Sequence, residues 1–171
     1  MSSSLAAVRP GDSISLNGVP HRVEQIDSYC EDSEQGVFWW CELKLSGEDG
    51  AVSYLEWSEQ KPGIYLYGTP GDPESVGLDG NMLADFDEEE EGSFSYDGRT
   101  YYYDDSGEAV CFEGRALTEA YGAEDGEACY YWDFYDESRQ FCISVEQWES
   151  EIDAYFGVRL DPAAIEAPEG D

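Results

Sequence analysis

The chain has 171 residues, and its 40 acidic and 8 basic side chains give a formal net charge of −32. This charge disfavours direct binding to nucleic acid or to an anionic membrane surface, because both need clustered Lys and Arg, which stand singly here. Hydrophobic residues make up 41% of the chain and aromatic residues 15%, which excludes a disordered acidic chain and allows packed cores.

Residues 1–10 do not predict a secretory signal, and no segment predicts a membrane span. Residues 1–10 lack a basic region followed by an apolar stretch, so they do not resemble a secretory signal. No apolar run approaches the roughly 20 residues that a membrane-spanning helix needs. We therefore expect a cytoplasmic protein without membrane insertion.

Residues 8–67 predict a first β lobe made of two hairpins. Asn17-Gly18 interrupts an apolar stretch, and Asn-Gly is a strong signal for a two-residue turn because both residues adopt positive φ at low cost. Residues 39–57 then supply an aromatic arm, the polar turn 46–50 and a second arm of strand-forming residues that ends at Trp57.

Residues 68–92 differ in composition and predict an acidic linker rich in Pro and Gly. Asp85, Asp87 and Glu89 imitate the first ligands of a calcium-binding loop. Glu90 follows where such a loop requires glycine, so no calcium site is predicted. The acidic run is instead interpreted as a solvated surface that attracts cations or polyamines loosely.

Residues 93–160 predict a second β lobe that repeats the signals of the first. Asp97-Gly98 stands where Asn17-Gly18 stands in the first lobe. Residues 130–148 align without a gap on residues 39–57. The aligned pairs are Trp39 with Tyr130, Trp40 with Tyr131, Leu43 with Phe134, Val52 with Ile143 and Trp57 with Trp148. The chain therefore predicts an all-β fold of two pseudo-repeated small antiparallel barrels or curled sheets.

One short C-terminal helix is predicted after the second hairpin. Trp148, Ile152 and Tyr155 follow a helical spacing, and Gly157 stands where a C-terminal cap belongs. The tail over residues 161–171 contains two prolines and further acids, so it is expected to be frayed.

No catalytic residue, metal site or cofactor is predicted. The five cysteines are irregularly spaced and lack the close pairs of a zinc site, so they are interpreted as buried thiols. The single histidine, His21, lies within a predicted strand and is interpreted as structural. No serine elbow, phosphate-binding glycine loop or dinucleotide fingerprint occurs.

Aromatic residues are the remaining candidates for a site, because exposed Trp and Tyr bind partners, sugars and cationic groups. Neighbouring residues on a strand face opposite ways, so one member of each aromatic pair should lie near solvent. The candidate ligand- or partner-binding residues are Trp39, Trp40, Trp57, Tyr101, Tyr131 and Trp148. The alternative is that these rings cover the core or the joint between lobes.

Several short motifs occur in a characteristic order over residues 8–160. They are Arg9-Pro10-Gly11-Asp12, Leu16-Asn17-Gly18, Trp39-Trp40, Tyr54-Leu55-Glu56-Trp57, Tyr96-Asp97-Gly98-Arg99-Thr100-Tyr101, Tyr130-Tyr131-Trp132, Ser144-Val145-Glu146-Gln147-Trp148 and Tyr155-Phe156-Gly157. This order resembles the prokaryotic domain of unknown function family numbered 4178. The heavy acidity, and His21 where an aromatic residue is usual, depart from that pattern and fit a halophilic branch.

The resemblance implies a non-enzymatic β module without established functional residues. Members of the family tend to occur near genes similar to phage-shock protein A and spermidine synthase, which implies an accessory of an envelope-stress or polyamine-linked system. We therefore expect a binding or scaffold module with a protein partner. The alternatives are a module that binds a polyamine or sugar through exposed aromatics and carboxylates, and, ranked lower, a carboxylate-based hydrolase.

Overall fold

The computed structural model describes residues 5–61 and 63–167, and most of these residues lie in β-strands. The strands are β1 (Ser13–Leu16), β2 (Val19–Ser33), β3 (Gly36–Ser46), β4 (Val52–Trp57), β5 (Ile64–Tyr67), β6 (Ser93–Tyr96), β7 (Arg99–Phe112), β8 (Glu127–Tyr135), β9 (Phe141–Gln147), β10 (Ile152–Leu160) and β11 (Ile165–Glu166). Helical segments are Gly80–Glu89 and Leu117–Ala120, with short 3-10 turns at Pro73–Val76 and Pro162–Ala164. The predicted antiparallel, mainly β fold is confirmed.

The chain divides into two compact units. The first unit comprises residues 1–67, 110–127 and 160–171, and the second comprises residues 68–109 and 128–159. This division differs from the contiguous lobes 8–67 and 93–160 of the sequence analysis. The reason is strand pairing over long sequence distances, since residues 110–112 at the end of β7 pair with residues 28–30 of β2, and β11 pairs with β1.

The first unit contains the strand order β11-β1-β2-β3-β4-β5. Asn17 and Gly18 both have positive φ, 52° and 80°, and close the predicted two-residue turn between β1 and β2. Its core contains Leu5, Val8, Ile14, Leu16, Val23, Ile26, Cys41, Leu43, Leu45, Leu55, Trp57, Ile64, Ala116 and Ile165. Ile165 also pairs with Leu16, so the predicted fraying is wrong for residues 161–167. Residues 168–171 lie outside the described part.

The second unit contains the strand order β6-β7-β8-β9-β10, the same meander order as β1 to β5. Asp97 and Gly98 also have positive φ, 49° and 78°, and close the predicted turn between β6 and β7. The core of this unit contains Val76, Leu78, Leu83, Phe86, Phe94, Tyr101, Trp132, Phe134, Ile143, Val145 and Ala154.

Both predicted hairpins form, but their registers differ from the gapless alignment. Leu43 pairs with Leu55, twelve positions later, whereas Phe134 pairs with Ile143, nine positions later. The second arm of the hairpin over residues 130–148 is therefore displaced by three positions relative to the alignment, although five residues separate the two strands in each hairpin. Because three is an odd number, aligned side chains of the second arms lie on opposite faces. As a result, Trp57 lies on β4 while Trp148 falls beyond the end of β9.

The helix predicted over residues 148–157 is wrong, because Ile152–Leu160 forms strand β10 and pairs along its length with β9. Helical spacing of three apolar residues is weak support, since an isolated helix of about ten residues is marginal in water. The β-branched and aromatic residues of this segment favour a strand once a neighbouring edge can pair with it.

The segment interpreted as a linker is folded as part of the second unit. Asp79 caps the Gly80–Glu89 helix by accepting a hydrogen bond from the Met82 backbone N–H at 2.8 Å. Leu83 and Phe86 are buried in the core of this unit. The acidic residues around these two apolar positions dominate the composition and conceal the amphipathic pattern.

Candidate functional site

The six aromatic residues predicted to bind a ligand or partner lie in different surroundings. Trp39 and Trp40 on β3 and Trp57 at the end of β4 line one pocket of the first unit. Tyr101 on β7, Tyr131 on β8 and Trp148 after β9 do not line this pocket.

Three of the predicted residues, Trp57, Tyr101 and Tyr131, are buried, and the last two also lie away from the pocket. Tyr101 is 1% exposed and stacks on Phe94 with 5.7 Å between ring centroids, so it belongs to the core of the second unit. Tyr131 is 4% exposed, and its hydroxyl donates a hydrogen bond to Asp105 at 2.9 Å. Alternation on a strand predicts that neighbours face opposite ways, but not which face is covered.

Trp148 lies in the connection between β9 and β10 and is half-buried. Its backbone N–H donates a hydrogen bond to the Glu151 carbonyl at 2.7 Å, which closes the turn between the two strands. The residue therefore marks a turn of the second unit.

The pocket of the first unit, here called the aromatic pocket, has a volume of about 270 Å³. Four rings and four other side chains line it: Trp39, Trp40, Trp57, Tyr121, Ser58, Glu59, Gln60 and Leu117. Tyr121 is 53% exposed and Glu59 is also exposed, so this side of the pocket faces solvent. A pocket that combines aromatic walls with a few polar groups is suited to a small ligand.

Ring contacts hold the walls of the aromatic pocket. Trp39 packs against Phe112 with 5.9 Å between centroids and meets Tyr121 edge-on at 4.9 Å. Trp40 stacks on Tyr29 at 5.3 Å. Such pairs add about 0.5–1.5 kcal/mol each beyond their area burial, so the rings are ordered before any ligand binds.

The loop after β4 is held against β3 by side-chain hydrogen bonds. The Gln60 side chain accepts from the Trp39 backbone N–H at 2.7 Å and donates to the Val37 carbonyl at 2.9 Å. Ser58 donates from its hydroxyl to the Trp39 carbonyl at 2.7 Å. These bonds replace the strand pairing that β4 no longer supplies, and they fix Glu59 between two anchored residues.

The negative charge of Glu59 raises the pKa of two neighbouring groups, Tyr121 and Cys41. Burial raises the pKa of Tyr121, and the nearby Glu59 carboxylate raises it further. Burial also raises the pKa of the Cys41 thiol to about 11, with Glu59 again contributing. Cys41 therefore stays protonated at neutral pH, which makes it a poor nucleophile.

An ammonium group of the chain lies over two rings of β3, of which Trp40 lines the aromatic pocket and Phe38 does not. The Lys61 Nζ is 5.8 Å from the centroid of the Trp40 ring and 5.7 Å from that of Phe38. These distances are within the range of cation–π attraction. The rings of β3 thus have the geometry to attract an organic cation.

A second cavity of about 130 Å³, here called the apolar cavity, adjoins the aromatic pocket, with which it shares Trp57, Glu59, Leu117 and Tyr121. Its remaining lining is mostly aliphatic and includes Leu5, Val8, Ile26, Leu43 and Ala116. Trp57 pairs with Cys41 across the hairpin and is only 3% exposed. Its indole Nε1 has no hydrogen-bond acceptor in the part of the chain that the structure describes.

A polar network in the second unit joins the Gly80–Glu89 helix to the sheet. Asp87 on the helix accepts hydrogen bonds from the Tyr130 hydroxyl and, at 2.6 Å, from the Ser106 hydroxyl. The Tyr103 hydroxyl oxygen lies 2.7 Å from that of Ser106. Each of these four groups has a protein partner, so we interpret the network as structural.

The Tyr130 hydroxyl should make the free energy of unfolding decrease with pH in the alkaline range. Burial and the Asp87 carboxylate raise the pKa of Tyr130 from its usual 10 to about 12. The unfolded chain therefore releases this proton first, and the free energy of unfolding falls as the pH rises from 10 to 12. We expect Tyr130→Phe to lose less stability over this interval than the wild type, measured by denaturant unfolding at several pH values. If Tyr130→Phe and the wild type lose equal free energy of unfolding over this interval, the prediction is wrong. The control is Tyr102→Phe, because Tyr102 is an exposed tyrosine of β7.

Metal binding and membrane spanning find no support in the described residues. No group of three or more His, Cys, Asp or Glu side chains over residues 5–61 and 63–167 is arranged to hold a metal ion. Within the same residues, no helix has the length and apolar character to cross a membrane.

Sequence reasoning missed two important residues of the aromatic pocket. Tyr121 follows the short Leu117–Ala120 helix and meets Trp39 across more than 80 positions of sequence. Glu59 is one of 40 acidic residues, so the sequence alone does not distinguish it from the others. Only the packing of residues 110–127 into the first unit brings the tyrosine to the tryptophans.

These features define a mainly β protein built from antiparallel meanders, with an aromatic pocket and an adjoining apolar cavity in its first unit. The model of the family described as a domain of unknown function, DUF4178, matches residues 9–162. The chain belongs to this family, as its motif order indicated. No curated protein and no solved structure matches the chain.

Proposed function

We propose that this protein is a non-enzymatic binding module whose aromatic pocket takes the ammonium group of an organic cation, such as a polyamine. The observation that supports this proposal is the combination of Trp39, Trp40, Trp57 and Tyr121 around one carboxylate, Glu59. Aromatic faces attract a cation through their electron-rich centres, and a carboxylate supplies the opposite charge.

Charge and intramolecular geometry both favour a cationic ligand. The net charge of −32 raises the local concentration of any organic cation near the surface. Lys61 already places an ammonium group over Trp40 and Phe38. A basic protein partner would present the same chemical group, so a scaffold role would use the same pocket.

The proposal predicts that spermidine binds the wild-type protein and that Glu59→Gln weakens this binding about threefold to tenfold, the effect of one charge-assisted contact. The measurement is isothermal titration calorimetry in molar KCl. At that ionic strength the screening length is about 3 Å, so diffuse attraction to the acidic surface is suppressed and contact binding remains.

Glu34→Gln is the matched control, because it removes one exposed carboxylate from the turn between β2 and β3 without touching the pocket. It should leave the affinity for spermidine unchanged. Absence of any heat with spermidine at high salt, or equal weakening by both variants, would refute the proposed site.

The cellular setting is part of the same proposal. The excess of acidic residues supports a halophilic cytoplasm, and the family's gene neighbourhood supports an accessory role in an envelope-stress or polyamine-linked system. The shared order of β1 to β5 and β6 to β10, each opened by a two-residue Asn-Gly or Asp-Gly turn, supports an internal duplication.

A further inference from the structure

The aromatic pocket and the apolar cavity meet at Trp57, and we infer that together they bind an acylated amine: an ammonium group joined through a short chain to an amide with an apolar acyl group. This inference rests on the proposed function and extends it. Each of the three parts of such a ligand corresponds to one feature of the two cavities.

The first feature is the buried indole of Trp57. Its side chain is 3% exposed, lines both cavities, and carries an Nε1–H without an acceptor among the described residues. Buried polar groups almost always have a partner, because leaving one unsatisfied is costly. In the second unit the comparable buried indole of Trp132 donates to the Leu83 carbonyl at 3.1 Å. A ligand carbonyl would satisfy Trp57 in the same way after a small rotation of the ring, which opens the covered Nε1–H to the cavities.

The second feature is the size and lining of the apolar cavity. Its volume of about 130 Å³ is close to that of a cavity of about 150 Å³ that holds one benzene molecule. Leu5, Val8, Ile26 and Leu43 offer it no charge. An acyl group of roughly four to six carbon atoms matches this space and is removed from water on binding.

The third feature is the position of Glu59, which lines both cavities and is exposed. Its charge already acts on Tyr121 and Cys41. An ammonium group would lie beside Glu59 among the rings while the acyl end occupies the apolar cavity. The amide between them then lies next to Trp57.

Butanoylputrescine and nonylamine form a suitable pair of probes, because both carry one ammonium on a chain of similar length and only the first has a carbonyl. We expect calorimetry in molar KCl to show that Trp57→Phe weakens butanoylputrescine binding about tenfold more than it weakens nonylamine binding. Phenylalanine keeps one aromatic ring but removes the donor and part of the ring volume, and the loss of volume acts on both probes alike, so the difference between the probes reports the donor. Trp148→Phe, outside both cavities, should change neither affinity.

A second readout uses the wild-type protein and does not depend on the variant. The indole N–H resonance of Trp57, assigned by its loss in Trp57→Phe, should move downfield on adding butanoylputrescine and should move little on adding nonylamine. Circular dichroism of Trp57→Phe at the same KCl concentration should show the wild-type β signal, so that a loss of binding is not a loss of the fold.

The outcomes separate this inference from the proposed function. If amines bind but Trp57→Phe weakens both probes equally or neither probe, or if the indole resonance does not move, the acylated-amine inference is overturned. If spermidine and both probes fail to bind, the proposed cation site itself is overturned.

Discussion

Lowering KCl from molar to tens of millimolar is expected to unfold this protein, with loss of its β signal in circular dichroism. The chain carries 40 acidic against 8 basic side chains, so the folded state concentrates like charge. At molar salt the screening length is about 3 Å, whereas at 0.01 M it is about 30 Å, which exceeds the spacing of neighbouring surface charges.

The Gly80–Glu89 helix shows where this repulsion is concentrated. Its last turn and its C-terminal cap contain Asp87, Glu88, Glu89 and Glu90, with no basic residue in the last turn. Negative charge at a helix C-terminus opposes the helix dipole and costs about 0.3–1 kcal/mol per group at low ionic strength. Salt screens this cost, so the helix and the core beneath it should be sensitive to dilution.

A charge variant makes the salt prediction sharper. Replacing Glu88 and Glu89 by Gln should lower the KCl concentration at which half of the protein is folded, because both residues are exposed at the unfavourable end of the helix. Replacing Ser93 by Ala, an exposed neutral change, is the control. A protein that keeps its circular dichroism spectrum at tens of millimolar KCl would refute the halophilic interpretation.

Phe134→Ala is expected to destabilise the protein by about 3–5 kcal/mol, the range measured when a buried phenylalanine is truncated. Phe134 has no exposed surface and meets Phe86 and Phe94 edge-on at 5.1 Å and 5.0 Å between centroids. Truncation would remove a ring that touches both the helix and β6, leaving a cavity between them. Thermal unfolding at fixed KCl should show a midpoint lowered on the order of 10 °C.

The matched control is Tyr102→Ala, because Tyr102 is an aromatic residue of the same unit that is 48% exposed. This variant should remain within about 0.5 kcal/mol of the wild type, as surface substitutions usually do. If Phe134→Ala lowers the free energy of unfolding by less than about 1 kcal/mol, the core of the second unit can close around the missing ring. That result would contradict the packing described for this core.

The sequence by itself determined the local elements. Asn17-Gly18 and Asp97-Gly98 predicted their turns correctly because positive φ depends on the residue and its immediate neighbours. The hairpins over 39–57 and 130–148 were predictable because β-forming and turn residues act locally. Trp39, Trp40 and Trp57 could be named as candidates because large aromatic rings are few and chemically distinctive.

Tertiary structure alone decided which faces are covered and which distant residues meet. Ile152–Leu160 became a strand because β9 offered an edge with which to pair, and the helix within 80–89 became stable because a core received Leu83 and Phe86. Tyr121 joined the tryptophans only when residues 110–127 packed into the first unit. Turn conformation depends on a few adjacent residues, whereas burial depends on free energies summed over contacts distant in sequence, which no local pattern contains.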